Sequence, residues 1–428
     1  MIMDFVRVDK SGDHSGGNPA AGLAGPPRWR ADFPVLGREM NGRALVWLDT
    51  AASAQKPQSV IDAMADVLEK RYANVHRGLY AFSQRLTSEF EGVRAKVAAF
   101  IGAQDREIVF TRNATDSVNL VARSWGAKTL KAGDEILLSA MEHHANLVPW
   151  MMLRDSLGVV LKTIPLDSAG ALDLDAYRGL LSARTRLVAL THLSNVLGTV
   201  NPVAAVIREA RAYDPTIKIF IDGAQGIVHE SVDIRGMDPD FYVFTGHKLY
   251  GPTGVGILYG KYEHLDAMPP LAGGGDMIES VSWEKCTYRP APHRFEAGTP
   301  PIVEVIGLGA AIDYVTACGR EALADHERDL TAYAVARLEE VPGLTLYGRA
   351  PHRAGIFSFN LEGVSPSDVA MILDRMGIAL RAGHHCCMPL METLGVEGTA
   401  RASLGLYSSR EDVDRLIEGL NKVRDLTG

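Results

Sequence analysis

Apolar runs of about five residues recur along the chain and stop abruptly at polar clusters, the pattern of strands buried on both faces of a sheet. Four such runs occupy 107–111, 135–139, 217–225 and 241–250, and further strands are expected at 159–166 and 185–191. Helical periodicity appears between them at 58–71, 87–100 and 203–211. The alternation continues to about residue 310 and predicts an α/β fold with a mostly parallel sheet covered by helices. After 311–317 the pattern changes. Strands at 355–361, 378–382 and 400–406 now accompany helices at 366–376 and 411–426, predicting a smaller α+β domain. The expected organisation is a head over 1–30, a large domain over 31–310 and a small one over 311–428. The start of the large domain is a candidate to pack with the small one. The head carries Ser15, Gly16, Gly17, Asn18 and Pro19, then Gly25, Pro26 and Pro27, which favour turns and mobility over packed structure.

Open α/β sheets bind ligands beyond the carboxyl ends of their strands, so chemistry is expected where the apolar runs stop. The run FYVFTGHKLY at 241–250 delivers Lys248 just past a buried strand. Low-dielectric surroundings disfavour its ammonium form, and a neutral amine is what Schiff-base chemistry with an aldehyde needs. The run IKIFIDGAQ at 217–225 delivers Asp222 and Gln225. Residues 135–139 lead into Met141, Glu142, His143, His144, Ala145 and Asn146, offering an imidazole face. Residues 107–111 lead into Asn113, Ala114, Thr115 and Asp116, a helix-start signal, and helix N-termini bind phosphate. Together these supply what pyridoxal phosphate requires: a lysine for the aldehyde, a carboxylate for the pyridinium nitrogen, a stacking ring and a phosphate cradle. Singly each has an ordinary explanation, since Asp222 or Thr115 alone serves as a helix cap. Their shared position at strand ends carries the reading.

Composition narrows the field. A chain of 428 residues, 46% hydrophobic and 22% charged, buries a substantial core as one two-domain unit. A net charge of −8 without a basic run gives no electrostatic basis for nucleic-acid binding. Four cysteines, two of them adjacent, are no secreted disulfide framework and point to a reducing compartment. No run approaches the roughly 20 apolar residues that span a bilayer. The first residues carry Asp4, Asp9 and Asp13 rather than a signal-peptide core, so no membrane is expected and the cytoplasm is the expected location.

The strings MEHHANLVPW, THLSNVLGT, IDGAQ, FYVFTGHKLYGPTGVGILY, RFEAGTP and RAGHHC resemble the cysteine desulfurases of the class V aminotransferase group. The likeness is to their Suf-type (group II) branch, which serves iron–sulfur cluster assembly, and it runs from about residue 31 to the C-terminus. It implies an aspartate-aminotransferase-like architecture (fold type I for pyridoxal phosphate enzymes), a homodimer, L-cysteine as substrate and a sulfur-acceptor protein of the Suf system. Residue by residue, it implies that Lys248 forms the imine with the cofactor and shuttles the substrate Cα proton. Asp222 pairs with the pyridine nitrogen, Gln225 bonds the phenolic oxygen and His143 stacks on the ring. Asn195 contacts cofactor and substrate. Ala114, Thr115, Thr245 and His247 bind phosphate, and Thr299 contributes across the dimer. Cys386 is the nucleophile that takes the sulfur as a persulfide while alanine leaves. Arg401 clamps the substrate carboxylate, a task suited to a bidentate guanidinium, and Arg381 joins Arg401 and Asn195 in binding the substrate.

A thiolate is required at Cys386, and Arg381, His384 and His385 are the neighbours available to favour it. If 378–386 runs as an extended strand, alternation turns Cys386 and Cys387 to opposite sides. Cys286 and Cys318 are expected to be inert and buried. Two positions depart from the family pattern: Cys387 stands where alanine is common, and Tyr80 where many relatives have a second histidine. Competing activities are selenocysteine lyase, with L-selenocysteine as substrate, or another class V lyase or transaminase. From another class, a metal-binding protein using His143, His144, His384, His385, Cys386 and Cys387 fits poorly, because structural zinc ligands are usually spaced rather than adjacent.

Overall fold

The computed structural model describes residues 27–427. Its main sheet comprises β1 (Ile108–Thr111), β2 (Glu135–Ser139), β3 (Val160–Ile164), β4 (Thr185–Thr191), β5 (Lys218–Asp222), β6 (Phe241–Thr245) and β7 (Gly256–Gly260). The spatial order is β1-β7-β6-β5-β4-β2-β3. All neighbours pair in parallel except β7, which runs antiparallel between β6 and β1. The unbroken apolar runs are explained by burial on both faces: in β5, Ile219 and Ile221 enter one core cluster while Phe220 enters the other. Every residue of β1, β2, β6 and β7 is buried.

Helices α1 (Gln58–Asp66), α2 (Ala81–Ile101), α3 (Ala114–Leu120), α4 (Val148–Leu157) and α5 (Val203–Tyr213) accompany this sheet. The helix expected over 58–71 is α1 continued by a wider π turn, Val67–Arg71. That expected over 87–100 begins at Ala81, because its N-cap, Tyr80, offers no side-chain acceptor and so no start signal. Tyr80 itself is exposed.

A second sheet holds β8 (Leu344–Tyr347), β9 (Ile356–Leu361), β10 (Arg381–Gly383) and β11 (Thr399–Ser403), antiparallel in the order β8-β9-β11-β10. Its core joins Phe357 and Phe359 to Leu338, Leu373, Leu416 and Leu420 from α7 (Arg320–Glu339), α8 (Pro366–Arg375) and α9 (Arg410–Thr427). The helix α6 (Ile302–Cys318) runs unbroken through residues 310 and 311, and the turn comes at Gly319, whose φ is 86°. Val46–Trp47 pairs in parallel with Ile378–Ala379, so the segment before α1 lies against the C-terminal part of the chain.

Three expectations need correction. The strand expected at 378–382 is two pieces, because Ile378–Ala379 pairs with Val46–Trp47 whereas β10 pairs with β11. The strand expected at 400–406 stops at Ser403; Leu404 turns to donate its N–H to the Gly355 carbonyl, and a Gly405–Ser408 turn follows. Cys318 is buried as expected, but Cys286 is exposed on a two-stranded ribbon, Ile278–Val281 with Cys286–Tyr288, that stands clear of the core. The head expected over 1–30 lies outside the described residues as far as residue 26. Arg30 is anchored, its guanidinium donating to Asp412 at 2.8 Å and to the Tyr407 carbonyl at 2.9 Å.

Candidate active site

The parallel register sets Thr191 beside Asp222 and Asp222 beside Val243, so the strand ends share one edge of the sheet. That edge and loops of the second sheet enclose a cavity of about 360 Å³. Lys248, Asp222, Gln225 and His143 line it, as do Ala114, Thr115, Thr245 and His247. Asn195, Arg381, Cys386 and Arg401 complete the set gathered from the sequence. Thr299 is the exception. It is exposed and lines a neighbouring groove that shares Asn113 and Thr115 with the cavity wall.

Asp222 ends β5 and is 4% exposed. Its Oδ1 accepts the Ala224 N–H at 2.9 Å, and it forms no ion pair among the described residues. Burial therefore pushes its carboxyl up, with Lys248 pulling the other way. The next residue must be glycine: a Cβ on Gly223 would sit 2.0 Å from the Tyr242 ring. Gln225 follows, donating Nε2–H to the Ala51 carbonyl at 2.7 Å, which leaves its second N–H for another acceptor. Lys248 follows β6. Burial lowers its ammonium, the Arg401 charge adds to this and Asp222 opposes it, so the environment favours the amine.

His143 accepts the Ala145 N–H on Nδ1 at 3.0 Å, which puts its own proton on Nε2. Burial, then the charges of Lys248, His144 and Arg401, bring it down to about 3, so the ring is neutral. The loop behind it is tied by Glu142, whose carboxylate accepts the Thr191 N–H at 2.9 Å, the Asn146 Nδ2–H at 2.7 Å and the Ser139 hydroxyl. Burial pushes Glu142 up to about 7.

At the other end of the cavity Asn113 caps α3, its Oδ1 accepting the Asp116 N–H at 2.9 Å. The first-turn N–H groups of Ala114 and Thr115 have no acceptor among the described residues, as expected of a helix start. The cradle is close-walled, since a Cβ on Gly256 would meet the Asn113 carbonyl carbon at 2.4 Å. Thr245 is buried beside it, and burial with Lys248 and Lys56 nearby lowers His247 to about 4.

Arg401 is 2% exposed. It donates Nη1–H to the Asn195 carbonyl at 2.9 Å and Nη2–H to Asp49 Oδ1 at 3.2 Å, and its Nε lacks a partner. Asp49 also pairs with Arg381 at 3.0 Å. Asn195 joins the two halves of the site: its Nδ2 donates to the His385 carbonyl at 2.9 Å and its Oδ1 accepts the Cys387 thiol at 3.2 Å.

The segment after β10 is a turn rather than extended strand. His385 and Cys386 take left-handed φ values of 52° and 57°, and Cys386 donates its N–H to His384 Nδ1 at 3.1 Å. Cys386 is exposed on the cavity, whereas Cys387 is fully buried and begins the short helix Met388–Leu394. The two cysteines do face different ways, but the turn causes it, and the alternation expected over 378–386 does not exist. Burial pushes the Cys387 thiol up to about 12. His385 is neutral, lowered to about 3 by burial first, with its Nε2 on Thr399. It is therefore no cationic partner for Cys386. Among the described residues no group of three or more His, Cys, Asp or Glu side chains is placed to hold a metal ion.

The residues present fit pyridoxal phosphate: Asp222 is a buried carboxylate without a cation, Lys248 is biased toward its amine, and the α3 N–H groups await an anion. Sequence reasoning missed Asp49, which fixes both arginines, and the anchoring role of Glu142. Asp49 carried a readable signal, because it ends the apolar run 45–48 as Asp222 ends β5; Glu142 gave none beyond its place in the loop.

The family model Aminotransferase class-V matches residues 46–416. A cysteine desulfurase of Dickeya dadantii (strain 3937) is 52% identical over 403 residues, 94% of this chain and 97% of the relative. One from Enterobacter sp. (strain 638) is 52% identical over 401 residues, 93% and 98% of the two chains. Among solved structures, the cysteine desulfurase CsdA of Escherichia coli, in an S-sulfonic acid form, superposes with a TM-score of 0.86 at 39% identity, covering 97% of this chain and all (100%) of that one. The apo cysteine desulfurase of Thermococcus onnurineus NA1 gives 0.87 at 38% identity over 93% and 97%. With the match spanning most of the chain, and the fold and cavity those of an α/β enzyme with a strand-end lysine, the protein belongs to the class V aminotransferase family.

Proposed function

We infer that this chain is a pyridoxal phosphate-dependent cysteine desulfurase, converting L-cysteine to L-alanine with Cys386 carrying the sulfur as a persulfide. The observation that carries this is the meeting of Cys386 and Arg401, from the C-terminal part of the chain, with Lys248 in one cavity. A transaminase needs no thiol there. When bound, the cofactor supplies an electron sink for the substrate Cα.

The chain's own residues supply the rest. Asp222 holds the pyridinium by charge, His143 presents a neutral ring face, and the N–H groups of Ala114 and Thr115 with Thr245 and His247 hold the phosphate. Gln225 offers its remaining N–H to the phenolic oxygen. Arg401 grips the substrate carboxylate with Asn195 beside it, and Arg381 shares Asp49 with Arg401. That grip presents the Cα hydrogen to Lys248, whose amine accepts the proton. Cys386 then attacks the substrate sulfur. The S–C bond breaks and its electron pair stays on Cβ, which takes up the proton given up by the Cys386 thiol. Lys248 returns its proton to Cα, the substrate sulfur with its hydrogen remains on Cys386 as the persulfide, and alanine leaves.

Several finer readings go with this one. The Suf-type branch, with a Suf acceptor protein taking the sulfur, is supported by the RAGHHC segment and the length of the likeness. A homodimer is supported by exposed Leu79, Tyr80 and Phe82 at the start of α2, and by Thr299, which its own chain leaves outside the cavity. Residues 31–310 act as the cofactor unit and 311–428 as the smaller unit carrying the nucleophile, with α6 spanning the two. A cytoplasmic location accords with the exposed Cys286 and Cys386 thiols and with the absence, among the described residues, of any single helix long and apolar enough to cross a membrane. The test is to incubate purified protein with L-cysteine or L-selenocysteine, with and without thiol, and quantify alanine, sulfide and keto acids. No alanine under any condition overturns the assignment, and a preference for selenocysteine moves it to a lyase.

A further inference from the structure

Two chains of contact join the lysine side of the cavity to the arginine side, and none of their residues lines the cavity itself. His229 lies four residues after Gln225, and its Nδ1 is 2.6 Å from Glu327 Oε1 on α7. The same oxygen accepts the Gly355 N–H at 2.9 Å. Gly355 precedes β9, and its carbonyl accepts the Leu404 N–H at 2.8 Å. One carboxylate thus anchors the backbone three residues beyond Arg401. In parallel, Tyr250, two residues after Lys248, accepts the Leu406 N–H on its hydroxyl at 3.1 Å.

Tyr250 holds φ at 58°, a left-handed conformation that a bulky aromatic residue keeps only when its surroundings over-determine it. Its ring is fixed by edge contacts with Phe33 and Tyr407 at centroid distances of 6.0 and 6.1 Å. His229, Glu327, Tyr250, Leu404 and Leu406 line one small cavity of about 30 Å³, so the two contacts meet at one seam. Burial works against charge on both members of the pair, but their mutual attraction raises His229 and lowers Glu327. A buried ion pair is weak evidence for net stability; what this one does in the structure is hold His229 and the Gly355 backbone to a single carboxylate oxygen.

We propose that His229, Glu327 and Tyr250 are positioning residues that fix Arg401 relative to Lys248 and so set the affinity for the substrate carboxylate. The inference rests on the reading of Arg401 as the carboxylate clamp. The experiment compares the holoenzyme with its Glu327→Ala, Glu327→Gln and Tyr250→Phe variants. Glutamine still accepts the Gly355 N–H and the His229 N–H, and lacks only the charge. Glu327→Ala should raise the KM for cysteine and the dissociation constant of L-alanine, read from the visible band, by roughly tenfold, the size of one lost buried hydrogen bond. Neither the kcat nor the visible band of the bound cofactor should change as much. Glu327→Gln should restore KM to within about threefold. Hydrogen exchange at Gly355 and Leu404 should accelerate in the alanine variant and recover in the glutamine one.

Accelerated exchange with unchanged KM and alanine affinity would overturn the proposal, since the pair would then be merely structural. Glutamine failing to rescue would also overturn it. If Glu327→Ala does not fold, Tyr250→Phe decides by the same split, with an unchanged KM counting against. Turnover of cysteine by the unaltered protein is measured first: its absence sinks the desulfurase reading, whereas the alanine–glutamine contrast bears on the seam alone.

Discussion

Replacing Arg401 by lysine separates binding from chemistry. The guanidinium sits on β11 with its Nη1 on the Asn195 carbonyl, its Nη2 on Asp49 and its Nε without a partner. Lysine keeps the charge but lacks the fork that grips both oxygens of a carboxylate. One charge-assisted hydrogen bond contributes about 1.5–3 kcal/mol, and each 1.4 kcal/mol is tenfold, so the KM for cysteine should rise roughly 10- to 150-fold. A looser grip also misaligns the Cα hydrogen, so kcat should fall as well. The Asn195 carbonyl loses its buried donor, for which a stability loss of about 1–3 kcal/mol is expected.

The assay is alanine formed against cysteine concentration, with the visible band recorded beforehand to establish cofactor content and urea unfolding to read stability. The expected pattern is full cofactor content, raised KM and lowered kcat. A KM within twofold of the unaltered protein would remove Arg401 from the substrate site. Loss of the cofactor band would mean that Arg401 holds the cofactor instead.

Lys248→Ala should abolish turnover and the borohydride-reducible bond between cofactor and protein; a reducible bond to another lysine would refute its role. Asp222→Ala should weaken cofactor binding and slow Cα-proton exchange together, because no other carboxylate among the described residues lines the cavity; equal affinity and rate would contradict it. Cys386→Ala should form no persulfide, while Cys387→Ala should keep most activity at a cost of about 1 kcal/mol in stability. Sulfur found by peptide mass spectrometry on Cys387 in the Cys386→Ala protein would reverse that assignment. Acid should destabilise the cofactor-free protein. His143 and His385 near 3, with His192 and His247 near 4, all fall below the unfolded 6.5, so the unfolded chain binds more protons across that window and stability is lost as pH drops below 6.5. Glu142, raised to about 7, acts oppositely between 4.5 and 7, and the Asp222, Glu230 and Asp412 carboxyls, raised by burial, act with it, while His144 and His326, lowered by burial, act with the four histidines. A urea midpoint that stays flat from pH 6.5 to 4.5 would refute the neutral-histidine account.

The α/β alternation and the strand-end chemistry were legible because strands buried on both faces are continuous apolar runs, and parallel strands deliver their last residues to one edge. Lys248, Asp222 and His143 could be found on that ground alone. Cys386 and Arg401 could not. They reach the cavity through β10 and β11, and no local pattern says that this second sheet folds back onto the first. Here the family likeness did the finding. Asp49 is the intermediate case, since its apolar run is plain but its two arginine partners lie more than 330 positions away in the chain. The start of α2 escaped because Tyr80 is a cap without a capping side chain.

The cysteine pair shows why a correct placement can rest on a wrong cause. A strand through Cys386 would have set the two thiols apart by alternation. The structure does so by ending β10 at Gly383 and forcing His385 and Cys386 into left-handed backbone, which costs energy in non-glycine residues. That turn is held from the main-sheet side of the site, where the Cys386 carbonyl accepts the His144 N–H at 2.7 Å and the His385 carbonyl accepts Asn195 Nδ2. His144 adjoins the ring that faces the cavity, and Asn195 carries the carbonyl that holds Arg401. Cys386 is thus positioned by the same two loops that position His143 and Arg401, the three residues to which the proposed reaction gives its nucleophile, its stacking ring and its carboxylate clamp. Displacing either loop would therefore move Cys386 relative to His143 and Arg401 together.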